Sequence, residues 1–130
     1  MPQLANIVIN DGAATPVAHT FTPRDIVNGV GTLIESTGIP IGDNRLSLGL
    51  TRTSAGRYKP TVKLVLPIVQ TQTVNGVSSP VVVRTAYAEL SFNFDATSTT
   101  QERKDAVALS KNALANSIVL GVAQDLQGVY

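Results

Sequence analysis

Hydrophobic and polar residues alternate through the middle of the chain in the way that β-strands require. Leucine takes every second position within residues 45–51, and an apolar residue takes every second position within residues 61–66 and 87–94. Because successive side chains of a strand point to opposite faces, each segment has one apolar and one polar face. The pattern therefore predicts three half-buried strands of an antiparallel sheet.

The remaining segments before residue 98 are rich in turn residues. A β-branched run, a turn and a second extended stretch within residues 7–22 predict an N-terminal hairpin. Glycine and proline interrupt residues 24–44, where we expect strand and loop rather than a long helix. Residues 70–79 carry Asn75-Gly76 near their centre, which predicts an exposed hairpin or a flexible loop.

The C-terminal part has the signals of two helices. Thr99, followed three positions later by Glu102, is a capping-box pattern, and helix formers continue to about residue 115. A second cap at Asn116-Ser117 predicts another helix over residues 118–126. Strands followed by helices are typical of an α+β fold, in which helices cover one face of an antiparallel sheet.

We therefore predict a single domain, residues 1–130, with an N-terminal β-hairpin, a five-stranded antiparallel sheet and two C-terminal α-helices. The predicted helices contain many small residues, among them Ala106, Ala108 and Ala113. Two short helices of this kind would cover the apolar face of the sheet poorly. This deficit predicts a partner subunit that supplies further cover.

Composition narrows the class of protein. The chain has 130 residues, of which 43% are hydrophobic, and no cysteine. The lack of cysteine excludes a disulfide scaffold, a zinc–thiolate site and thiol catalysis. No segment approaches the roughly 20 apolar residues of a membrane span, and the N-terminus lacks the basic and apolar regions of a signal peptide. We expect a protein that works where it is made, without a membrane partner.

Charge is distributed unevenly along the chain. Ten basic and nine acidic residues give a net charge of +1, which by itself suggests no charged partner. Residues 44–88, however, contain six basic residues and no acidic one, so they carry +6 and the rest carries −5. Strand alternation places Arg45 and Lys63 on the polar side, and Lys59 with them if the strand extends back through Pro60.

This combination of residues is typical of surfaces that bind single-stranded RNA. Lysine neutralises phosphate, small hydroxyl side chains reach base edges, and the ring of Tyr87 can stack on an unpaired base. Glu89 on the same face would repel phosphate but can accept a hydrogen bond from a base amino group. An ordinary solvated sheet face has a similar pattern, so the residues alone leave both interpretations open.

Candidate catalytic residues are sparse. His19 is the one histidine and has no neighbouring carboxylate in the sequence, which favours a structural role. The stretch Asn28-Gly29-Val30-Gly31 lacks the spacing of a phosphate-binding loop. The acidic residues, Asp11 and Glu35 among them, are scattered, and we interpret most of them as solvated charge. We therefore expect no enzyme, no cofactor, no metal site and no small-molecule substrate.

Several short motifs occur in an order and spacing that point to one family. They are Ile7-Val8-Ile9-Asn10-Asp11-Gly12, Asn28-Gly29-Val30, Gly56-Arg57-Tyr58-Lys59, Thr61-Val62-Lys63-Leu64, Thr71-Gln72-Thr73-Val74-Asn75-Gly76-Val77 and Gly128-Val129-Tyr130. In these motifs the chain resembles the coat proteins of leviviruses, the small single-stranded RNA bacteriophages. The resemblance extends over nearly the whole chain.

The resemblance implies a homodimer in which two subunits join edge to edge into a ten-stranded sheet, with the helices of each subunit lying across its partner. It also implies a T=3 icosahedral shell around the viral RNA, with the polar sheet face pointing inward. The loop around residues 70–80 would change conformation between positions in the shell. Such a protein is made in the cytoplasm of the bacterial host and resides in the virion.

The resemblance further implies that coat dimers bind an RNA hairpin at the start of the replicase message, repress its translation and promote packaging. Carried over position by position, the RNA-binding residues are Val30, Ser47, Thr51, Ser54, Lys59, Thr61, Lys63, Tyr87 and Glu89. Thr61 would lie in a pocket for an unpaired adenine, and Tyr87 would stack on a loop base.

Two of these positions depart from other members of the family. Thr51 stands where some members have arginine, and Glu89 where some have asparagine, which bears on the hairpin that is recognised. The alternative function, from another class, is a cellular single-stranded nucleic-acid-binding module that forms no shell.

Overall fold

The computed structural model describes residues 2–130. In this range six strands precede two helices: β1 (Ile7–Asn10), β2 (Ala18–Val27), β3 (Val30–Glu35), β4 (Asn44–Arg52), β5 (Tyr58–Val74), β6 (Val77–Ser91), α1 (Thr100–Ala113) and α2 (Ser117–Gln124). A short 3-10 helix, Pro40–Gly42, lies between β3 and β4. The order of strands before helices confirms the predicted α+β class.

All six strands form one antiparallel sheet in which each strand pairs with its neighbours in the chain, in the order β1 to β6. We expected a separate N-terminal hairpin beside a five-stranded sheet. The sheet has a sixth strand instead, because β2 is long enough to serve both: residues 18–21 pair with β1, and residues 22–27 pair with β3. The hairpin therefore continues directly into the main sheet.

Two-residue turns join two of the hairpins. Asn28-Gly29 connects β2 to β3, and Asn75-Gly76 connects β5 to β6. The Asn and Gly of each turn have positive φ, 52° and 78° in the first and 52° and 77° in the second. Asn-Gly favours this left-handed geometry, which matches the twist of the flanking strands. The prediction of an exposed hairpin at residues 70–79 is confirmed, and its strands extend to within one residue of the tip on each side.

Buried apolar side chains are few in the part of the chain that the structure describes. Phe21, Leu33 and Leu46 form the buried core. Leu4 and Leu64 are among the partly buried side chains that pack against it. Many other large apolar side chains stay exposed, which is consistent with the predicted deficit of cover.

The helices begin where their caps predict. Thr99 accepts a hydrogen bond from the Glu102 amide and the Glu102 carboxylate accepts one from the Thr99 amide, which completes a capping box. Asn116 caps α2 by accepting from the amide of Ile118. Neither helix has a buried residue.

By its internal contacts the chain divides into two compact units, one ending at Asn93 and the other running from Phe94 to Tyr130. Within residues 2–130, no single helix is long and apolar enough to cross a membrane. The pair of α1 and α2 reaches that length and apolar content only with a bend of 68° between them.

Candidate nucleic-acid interface

The register of the sheet brings the candidate residues together on one face. Ser47 on β4 lies opposite Lys63 on β5, and Lys63 lies opposite Glu89 on β6. Directly opposed residues of an antiparallel pair project their side chains to the same side. The three side chains therefore form one row across neighbouring strands. We call the sheet face that carries this row the polar face.

Parallel rows on either side add further candidate residues. Val30 and Thr61 both lie opposite Gly49, one from β3 and the other from β5. At the next alternate position Thr51 lies opposite Lys59. These positions keep the parity of Ser47, so the polar face carries them as well.

Tyr87 belongs to the row on the opposite side of Lys63. Val65 lies opposite both Tyr87 and Arg45, so the aromatic ring and the guanidinium share the polar face. Tyr87 is 78% exposed, which leaves its ring accessible. Arg45, which the position-by-position comparison with the family did not select, is an additional exposed cation of this face.

Ser54 is the one candidate that lies outside the strands. It occupies the loop between β4 and β5, where the Thr53 amide donates to the Arg57 carbonyl at 2.8 Å and the Gly56 amide donates to the Thr53 carbonyl at 2.9 Å. This tight loop joins the end of β4, which carries Thr51, to the start of β5, which carries Lys59. The serine is exposed at that end of the sheet.

The basic residues of segment 44–88 do not all contribute to the polar face. Arg45, Lys59 and Lys63 do, but Arg52 and Arg84 have the opposite parity, since they lie opposite Tyr58 and Ile68. Arg52 instead places its guanidinium 5.5 Å from the centre of the Tyr58 ring, within the range of a cation–π interaction. The local +6 of the sequence is therefore divided between the two sides of the sheet and a loop.

Acidic side chains limit the positive charge of this face. The Lys63 ammonium lies 3.9 Å from a carboxylate oxygen of Glu89, and the two side chains are 54% and 56% exposed. An exposed pair of this kind contributes about 0–1 kcal/mol to stability, so neither side chain is locked in place. Both groups remain available to a ligand, the lysine as a donor and the carboxylate as an acceptor.

Sequence reasoning missed two residues that extend the central row. Thr32 lies opposite Ser47, and Asp25 lies opposite Thr32. The Asn28-Gly29 turn was a signal for the pairing of Asp25 with Thr32, because it fixes the pairing of β2 with β3. The pairing of Thr32 with Ser47 had no such signal, since a longer connection joins β3 to β4. With Asp25 at one end and Glu89 at the other, the row has a lysine and hydroxyl groups between two carboxylates.

His19 lies in a different environment from the one that the sequence suggested. Its Nδ1 lies 2.8 and 2.9 Å from the two carboxylate oxygens of Glu35, and its Nε2 lies 2.9 Å from an oxygen of Asp11. The sequence has no carboxylate beside His19, yet the fold gives it two, so Asp11 and Glu35 are not among the acidic residues that are merely solvated. The strands bring these residues together from distant positions in the chain, which spacing alone did not reveal.

The pKa values of the three groups follow from these contacts. Hydrogen bonds to Asp11 and then to Glu35 raise the pKa of His19 above its ordinary value of 6.5. A backbone hydrogen bond from Val17 and the bond to His19 lower the pKa of Asp11 to about 2. Burial raises the pKa of Glu35, but hydrogen bonds from His19 and Asn44 outweigh it, so the pKa lies below 4.5. Within residues 2–130 no group of three or more acidic or histidine side chains could hold a metal ion.

Comparison with known proteins decides the family. Residues 2–130 match the family model of the levivirus coat protein. The capsid protein of Pseudomonas phage PRR1 is 52% identical over 130 residues, which cover 98% of this chain and 99% of that protein. The chain belongs to the levivirus coat protein family. The predicted membership is thereby confirmed, and with it the expectation that the protein is not an enzyme, because the role of the family is structural.

Solved structures extend the agreement to the fold of this coat protein. A virus-like particle of bacteriophage ESE058 is 30% identical, with a TM-score of 0.92 over 99% of this chain and 100% of that chain. A virus-like particle of Beihai levi-like virus 21 is also 30% identical, with a TM-score of 0.85 over 99% of each chain. The coat protein therefore has the levivirus capsid fold.

Proposed function

We propose that this coat protein forms homodimers that assemble into a T=3 icosahedral shell around viral RNA, and that its polar face binds an RNA hairpin. Binding at the start of the replicase message would repress translation and mark the genome for packaging. The observation that carries the proposal is the placement of eight of the nine candidate residues on one face of the sheet, with Ser54 in the adjoining loop.

The chemistry of the polar face supports single-stranded RNA as the ligand. Lys59 and Lys63 supply charge for phosphates, and the exposed Tyr87 ring supplies a stacking platform. Ser47 and Thr61 lie beside Lys63, where their hydroxyls can donate to or accept from a base. Unpaired bases expose their hydrogen-bonding edges and their ring faces, whereas duplex RNA hides them. The polar face therefore favours a loop or a bulge of the RNA.

The carboxylate of Glu89 adds selectivity rather than affinity. The Glu89 carboxylate repels phosphate, so the RNA backbone must pass closer to the lysines than to the β6 end of the row that Ser47, Lys63 and Glu89 form. An ionised carboxylate can accept hydrogen bonds but cannot donate them. Glu89 therefore favours a base that presents an amino group at this position over one that presents a carbonyl oxygen. Through this preference, Glu89 would select a different hairpin from the one that family members with asparagine at this position recognise.

Two features support self-association through the sheet. The outer edge of β6, a strand of 15 residues, offers the backbone donors and acceptors of alternate residues for pairing with a second copy. Large apolar side chains also stay exposed, among them Leu50 on the sheet at 62% and Leu109 on α1 at 71%. Helices laid across a partner would bury such side chains and provide the cover that one chain lacks.

Assembly into a shell is supported by the relatives and by the β5–β6 hairpin. The solved relatives of bacteriophage ESE058 and Beihai levi-like virus 21 are virus-like particles. The tip of the β5–β6 hairpin is exposed, with Val74 and Val77 on either side of Asn75-Gly76 and small or polar residues beyond them. This composition suits contacts in more than one environment. We place the protein in the virion, after synthesis in the cytoplasm of the bacterial host.

Electron microscopy of the purified protein tests the assembly. Particles of uniform size that contain RNA are expected. Soluble dimers without particles, under conditions where RNA is bound, would refute the proposed shell and leave a nucleic-acid-binding module that forms none.

The RNA surface is tested by binding titrations with a synthetic hairpin that has one unpaired adenine in its stem, compared with a fully paired hairpin. Lys63→Ala and Tyr87→Ala are each expected to weaken binding of the first hairpin by about 1–3 kcal/mol, roughly 5- to 150-fold in Kd. Lys63→Ala should also reduce the slope of log Kd against log salt concentration by about 1, because one phosphate contact is lost.

Matched controls use the other side of the sheet. Arg84→Ala removes one exposed cation from the same region, and Tyr58→Ala removes one tyrosine, but both positions have the opposite parity. Neither is expected to change hairpin affinity by more than about twofold. If Arg84→Ala weakened binding as much as Lys63→Ala, total charge rather than the polar face would determine affinity, and the proposed site would be refuted.

A further inference from the structure

A line of hydrogen bonds crosses the first four strands through side chains that the RNA surface does not use. Asp11 follows β1, His19 lies on β2, Glu35 ends β3 and Asn44 begins β4. In addition to the contacts of His19 with Asp11 and Glu35, the side-chain amide of Asn44 donates a hydrogen bond to the Glu35 carboxylate at 2.8 Å. Leu33 and Leu46 of the core have the parity of Glu35 and Asn44, so this line lies on the face opposite the polar face.

The two bonds of His19 require a particular protonation state. A carboxylate can only accept, so each ring nitrogen must carry a hydrogen to bond to its partner. Neutral imidazole has a hydrogen on one nitrogen and can satisfy one of the two carboxylates. Imidazolium satisfies both, and its charge balances part of theirs.

The position of His19 in β2 gives these bonds a mechanical role. In the backbone pairing, residues 18–21 of β2 bond to β1 alone, whereas β3 takes over from Thr22 onwards. The contact of His19 with Glu35 therefore ties the hairpin half of β2 to β3, and the contact with Asp11 ties in the turn. Asp11 is itself held by the amides of Ala13 and Val17 at 3.1 and 3.0 Å.

We propose that Asp11, His19 and Glu35 form a proton-dependent latch that holds the N-terminal hairpin and its turn against the sheet. Protonated His19 closes the latch by bonding to both carboxylates. Loss of its proton breaks the bond to one of the two carboxylates, which keeps only its other donors, so the turn loses its tie to β3 through His19. The other side chains from the neighbouring strands are uncharged. Ile9 of β1 lies opposite His19, and Asn44 of β4 bonds to Glu35.

The direction of the pH dependence follows from the three groups. The pKa of His19 is raised, so its contribution to stability is complete below 6.5 and is lost as pH rises through the pKa in the folded protein. The pKa values of Asp11 and Glu35 are lowered, so their contributions are present above ordinary values of 3.8 and 4.5 and are lost as pH falls through the lowered values. The latch is therefore tightest between about pH 4.5 and 6.5 and opens on the alkaline side.

The first test is the titration of His19 in the full-length protein, labelled with 15N-histidine and measured by solid-state NMR if it forms particles. Because the chain has one histidine, the ring signals need no assignment. We expect a pKa above 6.5 that decreases in Asp11→Asn and in Glu35→Gln, both of which keep the shape of the side chain. A pKa of 6.5 or below, or one that neither substitution changes, would overturn the proposal.

The second test follows the hairpin itself by hydrogen–deuterium exchange and mass spectrometry, with rates corrected for the intrinsic effect of pH. Between pH 6 and pH 9, peptides that cover residues 7–21 are expected to lose protection relative to residues 62–68 of β5. His19→Gln cannot take up a proton, so its protection in residues 7–21 should be low and independent of pH. Equal protection at both pH values in the unsubstituted protein would show that no latch opens.

Discussion

Gly42 lies where a single methyl group would strain the packing of the sheet. A Cβ added to Gly42 would lie 2.7 Å from Val69 Cγ2 and 3.1 Å from Thr37 Oγ1. Ordinary contacts between carbon atoms are about 3.5–4.0 Å, so Val69 must shift or change rotamer. Overpacking of this kind costs about 1–3 kcal/mol, and the lower chain entropy of alanine in the unfolded state returns about 0.4–1 kcal/mol.

Gly42→Ala is therefore expected to destabilise the protein by about 1–2 kcal/mol. This corresponds to a decrease in Tm of several degrees, since 1 kcal/mol shifts the Tm of a domain by about 2–8 °C. Thermal unfolding followed by circular dichroism at one fixed protein concentration measures the change. Fixed concentration matters because association adds to apparent stability.

Two further variants distinguish a steric clash at Gly42 from a general effect of replacing glycine by alanine. Gly121→Ala has the same chemistry in α2, where nothing lies within 4 Å of the added Cβ, and should stabilise the protein by up to about 1 kcal/mol. Combining Gly42→Ala with Val69→Ala should give less destabilisation than the sum of the two single changes, because Val69→Ala removes the clashing methyl. A Gly42→Ala protein as stable as the original, or an additive double variant, would refute the reasoning.

Three other substitutions test the core, a cap and a turn. Leu46→Ala, at a buried position, should cost about 2–5 kcal/mol in urea unfolding, whereas a cost below about 1 kcal/mol would mean that the three-residue core does not carry the sheet. Thr99→Ala removes the side-chain acceptor of the α1 capping box and should cost about 1 kcal/mol, measured by thermal unfolding against Thr97→Ala as a control outside the box. Gly76→Ala, at a φ of 77°, should cost about 1 kcal/mol or more, and an unchanged Tm would contradict the left-handed turn.

Local signals along the chain predicted most of the elements. Alternation of leucine in residues 45–51 specified both a strand and its two faces, because the period of two has no helical interpretation. The capping box at Thr99 located the start of α1, since cap chemistry acts over three residues. The same alternation placed Lys63 and Tyr87 on one side of the sheet, as the register has them. Their binding of RNA stays a prediction.

Features that depend on pairing between strands could not be predicted in this way. The contacts of His19 join residues 8 and 16 positions apart, and only the pairing of three successive elements brings them together. The continuity of the N-terminal hairpin with the main sheet was not predicted, because one half of β2 pairs with β1 and the other with β3, which no property of residues 18–27 alone indicates. The Asn28-Gly29 dipeptide was a recognisable turn signal that predicts the pairing of Asp25 with Thr32. The place of this pair beside Ser47 depends on the pairing of β3 with β4, which the dipeptide does not fix.

The order of the strands has a consequence for how the chain reaches its fold. Every strand pairs with its neighbour in sequence, and the β2–β3 and β5–β6 connections are two-residue turns. Loop-closure entropy is therefore small at each step, and a sheet of such local pairings folds faster than one that joins distant segments. During synthesis the sheet can grow strand by strand behind the ribosome, with β6 added last. Before β6 pairs, the 17 residues of β5 form the open edge of the sheet. The two-residue turn at Asn75-Gly76 brings β6 onto that edge as soon as it is made, which shortens the time in which an incomplete chain could pair wrongly.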